Sequence, residues 1–164
     1  MELERWEDAR RALDAAMFAA QESGDSSTIA EVLLAAGVFA ATREDSSRSE
    51  TFLLAALERY HRADDPESLR GRGRAFLSLA TLYGKTGRLD LAFVTFTRAQ
   101  DLLGAAQDWA GVAAAWENQA SLRRSLGDHD RWKEDLAESV IFYDRAGMTE
   151  KAERLRKLLG RKLV

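Results

Sequence analysis

The sequence predicts an all-α protein of about eight helices, stacked along the chain as antiparallel pairs. Apolar residues recur at intervals of three and four along almost its whole length, and Ala, Leu, Glu and Arg, which favour helices, dominate the composition. No segment shows the alternation expected of a strand. Small and large apolar residues also recur with a period of about forty residues, which indicates a repeat architecture.

The predicted helices are separated by short breaks. These fall, in order, at SGDSS, REDSSRS, ADDPES, GKTGR, GAAQD, SLGDHD and AGMT. The third break carries a helix start, because Asp65 is a suitable N-cap, Pro66 is tolerated at the first helical position and Glu67 places an acid in the first turn. Glycines stand where helices end and a positive φ is needed: Gly24, Gly87, Gly127 and Gly147.

A common frame aligns the helix pairs with one another. One kind of break recurs at spacings of 40, 43 and 40 residues, at Asp25, Asp65, Asp108 and Met148, and the other at spacings of 43 and 40, at Glu44, Gly87 and Gly127. Small residues coincide in the first helices (Gly37, Ala80 and Ala120) and in the second helices (Ala16, Ala56, Ala99 and Ser139). Large apolar residues coincide beside them (Leu33, Phe76 and Trp116; Leu13, Leu53, Phe96 and Leu136). Two helices can approach to about 8 Å where a small residue lies at the crossing, so the pattern predicts closely packed pairs.

The segment from Gly73 to Ala106 resembles a tetratricopeptide repeat. The matching residues, in type and spacing, are Phe76, Leu79, Ala80, Tyr83, Gly87, Ala92, Phe96 and Ala99. The segments from Ala30 to Ala63 and from Ala113 to Ala146 match more loosely, and the longer period resembles that of kinesin-light-chain-like and MalT-like members. The chain departs from the family pattern at Ser49 and Trp132, where Ala is usual, at Arg123, where Tyr is usual, and at Gln119, where Leu is usual.

The resemblance covers nearly the whole chain and predicts one domain, residues 1–164. Residues 1–23 form an unpaired helix at its start, of the second-helix type. The helix-pair repeats span 30–63, 73–106 and 113–146. Residues 149–159 form a short polar capping helix, as solenoids require at their ends.

The resemblance implies a right-handed α-solenoid whose first helices line a concave groove that binds a peptide or protein segment. Family members are usually adaptors rather than enzymes. The groove implied here is apolar at its start and charged later. Its residues would be Glu31, Leu34, Val38, Arg74, Leu77, Thr81, Lys85, Glu117, Asn118, Ser121 and Arg124.

Composition narrows the classes of function. The 164 residues carry a formal net charge of -3, so no global charge favours nucleic acid or an anionic membrane as partner. The absence of cysteine excludes disulfides and thiol chemistry and favours a reducing compartment. The start of the chain mixes acidic and basic residues among its apolar ones, which is typical of neither a signal peptide nor a membrane span. We expect a cytoplasmic protein, and the Ala, Arg and Leu bias favours a bacterial source.

Two short motifs suggest chemistry that the rest of the sequence does not support. Asp128, His129 and Asp130 resemble a metal-binding cluster, but the other histidine, His61, falls in another repeat, and Asp is a common N-cap. GKTG at Gly84 lacks the strand and the glycine spacing of a phosphate loop. We therefore expect no catalytic residues, no metal and no cofactor.

The basic and aromatic residues can be explained by structural roles. Arg70, Arg72 and Arg74 alternate with glycines and would spread around a helix, although an anion contact through Arg74 is an alternative. The terminal RLRKLLGRKLV fits cations at a helix end, with a membrane-surface helix as the minor alternative. The tryptophans are expected in the core or at the groove rim: Trp6, Trp109, Trp116 and Trp132.

Three functions remain open at the level of sequence. The first is an adaptor that binds a protein segment in its groove. The second is a structural module that self-associates, through Trp6 and the first helix or through the terminal leucines. The third is a peptide-sensing regulator, although no DNA-binding domain is visible in the sequence.

Overall fold

The computed structural model describes residues 2–60 and 65–160, with side chains from residue 7 onward. These residues form helices only: α1 (Glu2–Ser23), α2 (Ser26–Thr42), α3 (Ser46–Tyr60), α4 (Pro66–Lys85), α5 (Leu89–Ala105), α6 (Trp109–Ser125), α7 (His129–Arg145) and α8 (Thr149–Leu159). None of them is long and apolar enough to cross a membrane, within the part of the chain that is described. The predicted all-α architecture of about eight helices is confirmed.

Consecutive helices pack against one another along the whole array. The most extensive contacts lie within the pairs α2–α3, α4–α5 and α6–α7, and smaller ones join each pair to the next. The first helices also touch across neighbouring pairs, α2 with α4 and α4 with α6. The helix α1 packs on α2, and α8 packs on α7. This stacking of helix pairs is a solenoid, and it places α2, α4 and α6 side by side.

Aspartates start five of the described helices. Their carboxylates accept hydrogen bonds from backbone N–H groups of the first turn: Asp25 from Thr28, Asp45 from Arg48, Asp65 from Glu67 and Ser68, Asp108 from Gly111, and Asp128 from Arg131. Each bond satisfies a donor that the helix leaves without an internal partner. The motif around His129 is therefore a helix cap, as expected.

Positive φ angles turn the chain at six of the seven helix junctions, and the junction after α3 lies mostly outside the described residues. The four predicted glycines adopt them, with φ of 67° at Gly24, 76° at Gly87, 78° at Gly127 and 73° at Gly147. Glu44 and Gln107, with φ of 59° and 54°, take the same conformation at two further turns. The sequence marks the glycine turns more clearly because glycine adopts this conformation at little cost.

The core runs along the array as a chain of clusters at the helix crossings. Alanines with no exposed surface lie where helices meet, including Ala56, Ala80, Ala99 and Ala120. Large buried side chains fill the space beside them, including Leu53, Phe96 and Trp132. The alternation of small and large residues in the sequence thus corresponds to crossings and the grooves beside them.

Candidate functional site

The predicted groove residues lie on the three first helices, which stand side by side. Glu31, Leu34 and Val38 are on α2. Arg74, Leu77, Thr81 and Lys85 are on α4, and Glu117, Asn118, Ser121 and Arg124 are on α6. Because α4 contacts both α2 and α6, side chains from all three helices can contribute to one surface.

Residues of α4 and α6 line a cleft of about 220 Å³. Four predicted residues meet in it: Thr81, Lys85, Asn118 and Ser121. The amide of Asn118 donates a hydrogen bond to the Thr81 hydroxyl at 3.3 Å, which ties the two helices together across the cleft. The remaining lining is Ala80, Gly84, Phe96, Leu122 and Ser125. Polar groups thus surround an apolar floor.

Small residues on α4 allow this close approach of the two helices. A β-carbon at Gly84 would lie 3.1 Å from a methyl of Leu122 on α6, tighter than ordinary van der Waals contact. Ala80 has no exposed surface and packs with Ala92 and Phe96. The spacing of Ala80 and Gly84, one helical turn apart, therefore positions the floor of the cleft.

The α2 end of the predicted groove offers less surface than the sequence suggests. Leu34 is only 5% exposed and packs in a core cluster with Leu53 and Ala56, so it belongs to the interior. Leu77 is half-buried. Val38, in contrast, is 45% exposed and is available for contact. Leu34 lies in the interior because α2 turns that face of the helix towards α3.

The two predicted groove carboxylates are held by tyrosines of the neighbouring second helices. Tyr60 on α3 donates a hydrogen bond of 2.5 Å to Glu31, and Tyr143 on α7 donates one of 2.6 Å to Glu117. Burial raises the pKa of Tyr60 and of Tyr143 well above the ordinary value of 10.0, and the hydrogen bond to the carboxylate raises it further. Both tyrosines therefore remain protonated donors at neutral pH.

Cations complete these two arrangements. The Arg74 guanidinium lies 3.8 Å from Glu31, and the Lys151 ammonium on α8 lies 3.0 Å from Glu117. Three of the predicted charges are thus engaged within the protein. Lys85 and Arg124 are both exposed, and they are the cations of the predicted set best placed to meet a ligand. The Arg124 guanidinium also lies 5.6 Å from the ring centre of Trp132 on α7.

The departures of the third repeat from the family pattern form a polar network of their own. Arg123 donates to Asp135 at 2.7 Å and pairs with Asp128 at 3.2 Å, and Gln119 donates to Asp135 at 3.0 Å. The Arg123 guanidinium also lies 4.5 Å from the ring centre of Phe93 on α5. One arginine therefore links α5, α6 and α7.

The preceding repeat makes the same three-helix link with a tyrosine. Arg88 at the start of α5 donates two hydrogen bonds of 2.9 Å to Glu50 on α3, and its guanidinium lies 4.3 Å from the ring centre of Tyr83 on α4. Tyr83 and Arg123 occupy equivalent positions in the repeat frame. Arg123 thus takes over the linking role of the usual tyrosine.

A larger cleft, of about 450 Å³, lies between α1, α2 and α3, and it was not predicted from the sequence. In the repeat frame Ala40 occupies the position of Tyr83 and Arg123, so no large side chain fills this junction. That alanine is the signal in the sequence that could have revealed the cleft. Its lining combines an apolar floor with charges of both signs: Glu7, Arg10, Leu13, Asp14, Ala36, Phe39, Ala40, Arg43, Asp45, Arg48 and Phe52.

The basic run of α4 and the tryptophans have largely structural roles. Arg70 lies 3.8 Å from Asp108, so this arginine joins α4 to the turn before α6. Trp132 is buried, and Trp109 stacks on Phe142 with ring centres 6.1 Å apart. Trp116 is half-buried, and the side chain of Trp6 lies outside the described residues.

The polar clusters do not form a metal site in the part of the chain described. No group of three or more His, Asp or Glu side chains that could hold a metal ion occurs there. His61 lies outside it, as do Arg161 and Lys162 of the terminal basic run.

No family model and no curated protein matches the chain. Its fold is similar to the crystal structure of BtubC (BKLC) from P. vanneervenii, a kinesin light chain-like tetratricopeptide protein. The TM-score is 0.64 at 23% sequence identity, and the match covers 88% of this chain and 58% of BtubC. The fold is a tetratricopeptide-like α-solenoid. The chain spans less than two thirds of the length of BtubC, and the likeness extends to the fold alone.

Proposed function

We propose that this α-solenoid is a non-catalytic interaction module that binds a peptide or protein segment along α2, α4 and α6. The observation that carries the proposal is the cleft between α4 and α6, where Thr81 and Lys85 of one repeat face Asn118 and Ser121 of the next. Helical-repeat folds of this type generally mediate protein–protein interactions. The module would serve as an adaptor or scaffold in a bacterial cytoplasm, with repeats of the longer-period kinesin-light-chain-like or MalT-like type.

The size of the cleft favours a peptide over a small metabolite. Pockets that enclose drug-sized ligands usually measure about 300 to 1,000 Å³. At about 220 Å³ the cleft between α4 and α6 is smaller and suits a single side chain of a longer ligand. The apolar floor of Ala80, Phe96 and Leu122 would take its hydrophobic part.

The chemistry around the floor suggests how the ligand would be held. Asn118, Thr81 and Ser121 supply donors and acceptors that suit peptide backbone. Lys85 and Arg124 lie on neighbouring first helices and are exposed, whereas Arg74 is paired with Glu31. We expect these two cations to attract acidic groups of the ligand, which favours fast association and orientation more than affinity.

The test selects peptides from a random display library with the wild-type chain, and then measures their affinity for variants. In the groove variant, Lys85→Glu and Arg124→Glu reverse two charges. The matched control, Arg59→Glu with Lys133→Glu, makes the same change in charge at exposed positions on α3 and α7. Circular dichroism checks that all three chains keep their helical content.

We expect selected peptides to lose at least tenfold in affinity for the groove variant and to keep it for the control. Ser121→Trp, which places a large side chain in the cleft, should have the same effect without any change in charge. Peptides that bind all of these variants equally would show that the groove assignment is wrong. Failure to select any peptide would count against the peptide-binding function itself.

A further inference from the structure

The cleft between α1, α2 and α3 lies where the array departs from its own repeat pattern. At the two later junctions, two positions of the first helix, one turn apart, carry larger side chains: Leu79 and Tyr83 on α4, and Gln119 and Arg123 on α6. The same two positions of α2 are Ala36 and Ala40, and both line the cleft of about 450 Å³. Two shortened side chains on one face of α2 therefore account for this space.

The next junction, of α3, α4 and α5, shows which group fills the equivalent space. The Arg88 guanidinium lies there 4.3 Å from the centre of the Tyr83 ring, and it also donates two hydrogen bonds to Glu50. Burial raises the pKa of Tyr83, and the charge of Glu50 raises it further, so the phenol keeps its proton beside the carboxylate. A phenol ring thus lies at this junction next to one cation and one anion.

The first junction carries the same two charges in exchanged places. In the repeat frame Arg10 on α1 corresponds to Glu50, and Asp45 before α3 corresponds to Arg88. Both Arg10 and Asp45 line the cleft. A cation and an anion are therefore present here too, around the space that the two alanines leave.

Both of these charged groups can serve a ligand. The Arg10 side chain is exposed. The Asp45 carboxylate accepts from the backbone N–H of Arg48 at 3.1 Å and lies 3.4 Å from its guanidinium, while remaining 39% exposed. Since a carboxylate offers about four acceptor positions, Asp45 can accept a further hydrogen bond.

A cationic ligand does not suit this cleft, although Arg123 fills the junction of α5, α6 and α7. The Arg123 guanidinium lies 4.5 Å from the ring centre of Phe93 on α5. In the repeat frame Arg10 takes the place of Phe93. Its positive charge repels a guanidinium and is attracted to the face of an aromatic ring, so an aromatic ligand is favoured.

We propose that this cleft binds a small molecule that combines a phenol ring with a short branched alkyl group. The ring would take the place that Tyr83 has at the next junction, with Arg10 over its face and its hydroxyl donating to Asp45. The alkyl group would take the place of Leu79, among the apolar side chains of Leu13 and Phe52 that also line the cleft.

The dimensions of the cleft favour a free molecule over one side chain of a partner. Its volume of about 450 Å³ falls within the range of about 300 to 1,000 Å³ of pockets that enclose small molecules. It shares no lining residue with the cleft between α4 and α6. The proposal therefore stands or falls independently of peptide binding along the first helices.

An NMR titration of the 164-residue chain with 4-isobutylphenol tests the proposal. This probe joins the phenol of tyrosine to the isobutyl group of leucine. Isobutylbenzene, which lacks the hydroxyl, and methylguanidinium, which carries the charge of arginine, are the comparison probes. Backbone amide shifts report the affinity and the residues that respond.

Two variants with matched controls accompany the titration. Ala40→Tyr fills the cleft with a phenol of the chain itself, and Ala137→Tyr makes the same substitution at an exposed alanine of α7. Arg10→Gln removes the cation at an exposed position, where the fold does not depend on it. Its control is Arg11→Gln, the neighbouring arginine of α1, which pairs with Asp8. Circular dichroism confirms that each chain is folded.

We expect 4-isobutylphenol to cause saturable shifts around the cleft in the wild type and in both controls. Ala40→Tyr should abolish them, and Arg10→Gln should weaken binding by about two- to fivefold through loss of the contact between cation and ring. Isobutylbenzene should bind more weakly than the phenol, and methylguanidinium should not bind.

Several results would overturn the proposal. Shifts that never saturate, or that centre outside α1, α2 and α3, would show that the cleft is not the binding site. Unchanged binding to Ala40→Tyr or to Arg10→Gln would show the same. Equal affinity for isobutylbenzene would contradict the role of the hydroxyl, and saturable binding of methylguanidinium at the cleft would contradict the choice of a ring over a cation.

Discussion

Gly71 on α4 packs directly against the ring of Tyr60 on α3, which lies where a β-carbon at residue 71 would be. Two residues further along α4, Gly73 contacts Leu103 on α5, whose Cγ lies 2.6 Å from the position of a β-carbon at residue 73. The alternating LRGRGR run is thus explained by its glycines. They let α4 lie between two second helices at a distance that no larger residue permits.

Gly73→Ala should lower the stability by about 1 to 3 kcal/mol, because the added methyl group overpacks the contact with Leu103, whose backbone N is also within 3.2 Å. Gly104→Ala is the matched control, since a β-carbon there meets nothing within 4 Å. It should raise the stability by about 0.5 kcal/mol through helix propensity. Urea denaturation followed by circular dichroism measures both, and equal effects of the two substitutions would contradict the packing argument.

The fold could be predicted from the sequence because its determinants are local and repeated. The helix ends depend on Asp65, Asp108 and Gly87, which act within a few residues of their own position. The role of Gly71 could not be predicted in the same way. It depends on which face of α4 meets Tyr60, and that follows only from the tilt of one helix pair against the next.

The sequence predicts which helices carry the candidate groove residues, but not which of their charges are paired within the protein. The repeat frame alone places Thr81 and Asn118 on adjacent first helices, and the structure brings them within hydrogen-bonding distance. The sequence does not reveal that Glu117 is held by Tyr143 and by Lys151, because these residues lie on α7 and on the terminal α8. Internal pairing of this kind decides which charges remain for a ligand.

Ala80→Leu should lower the stability by about 1 to 3 kcal/mol, because Ala80 has no exposed surface and packs against Ala92 and Phe96. Ala137→Leu makes the same substitution at an exposed position of α7 and should change the stability by no more than about 0.5 kcal/mol. Thermal and urea unfolding distinguish the two. A melting temperature of Ala80→Leu equal to that of the wild type would show that this crossing is not closely packed.

The ion pair of Glu50 and Arg88 should make stability depend on acid pH. The hydrogen bonds from Arg88 lower the pKa of Glu50 below its ordinary value of 4.5, and the charge of Arg88 lowers it further. The unfolded chain then binds the proton more tightly than the folded one. The contribution of the pair is therefore fully present above about pH 5 and is lost as the pH falls through the folded pKa.

Glu50→Gln should cost about 0.5 to 1 kcal/mol at neutral pH, because the pair is partly exposed to solvent. Its melting temperature should approach that of the wild type as the pH falls through the lowered folded pKa of Glu50, because the wild-type carboxylate is then protonated as well. Glu58→Gln, at an exposed position of the same helix, is the control and should follow the wild type throughout. A difference between Glu50→Gln and wild type that stays constant with pH would contradict this role of the ion pair.

Asp135→Asn should lower the free energy of unfolding more than the other substitutions do, by about 3 kcal/mol. The Asp135 carboxylate is only 8% exposed and accepts hydrogen bonds from both Arg123 and Gln119. Without it, the Arg123 guanidinium, which is 15% exposed, keeps only Asp128 as a paired carboxylate. Replacement of both partners, Arg123→Met with Asp135→Leu, should restore part of the stability, because no buried charge then lacks its partner. Asp130→Asn, an exposed position of α7, is the control and should have little effect. Urea unfolding measures the stability of the wild type and of these three variants. A double variant no more stable than Asp135→Asn would mean that the network contributes packing and shape rather than charge compensation.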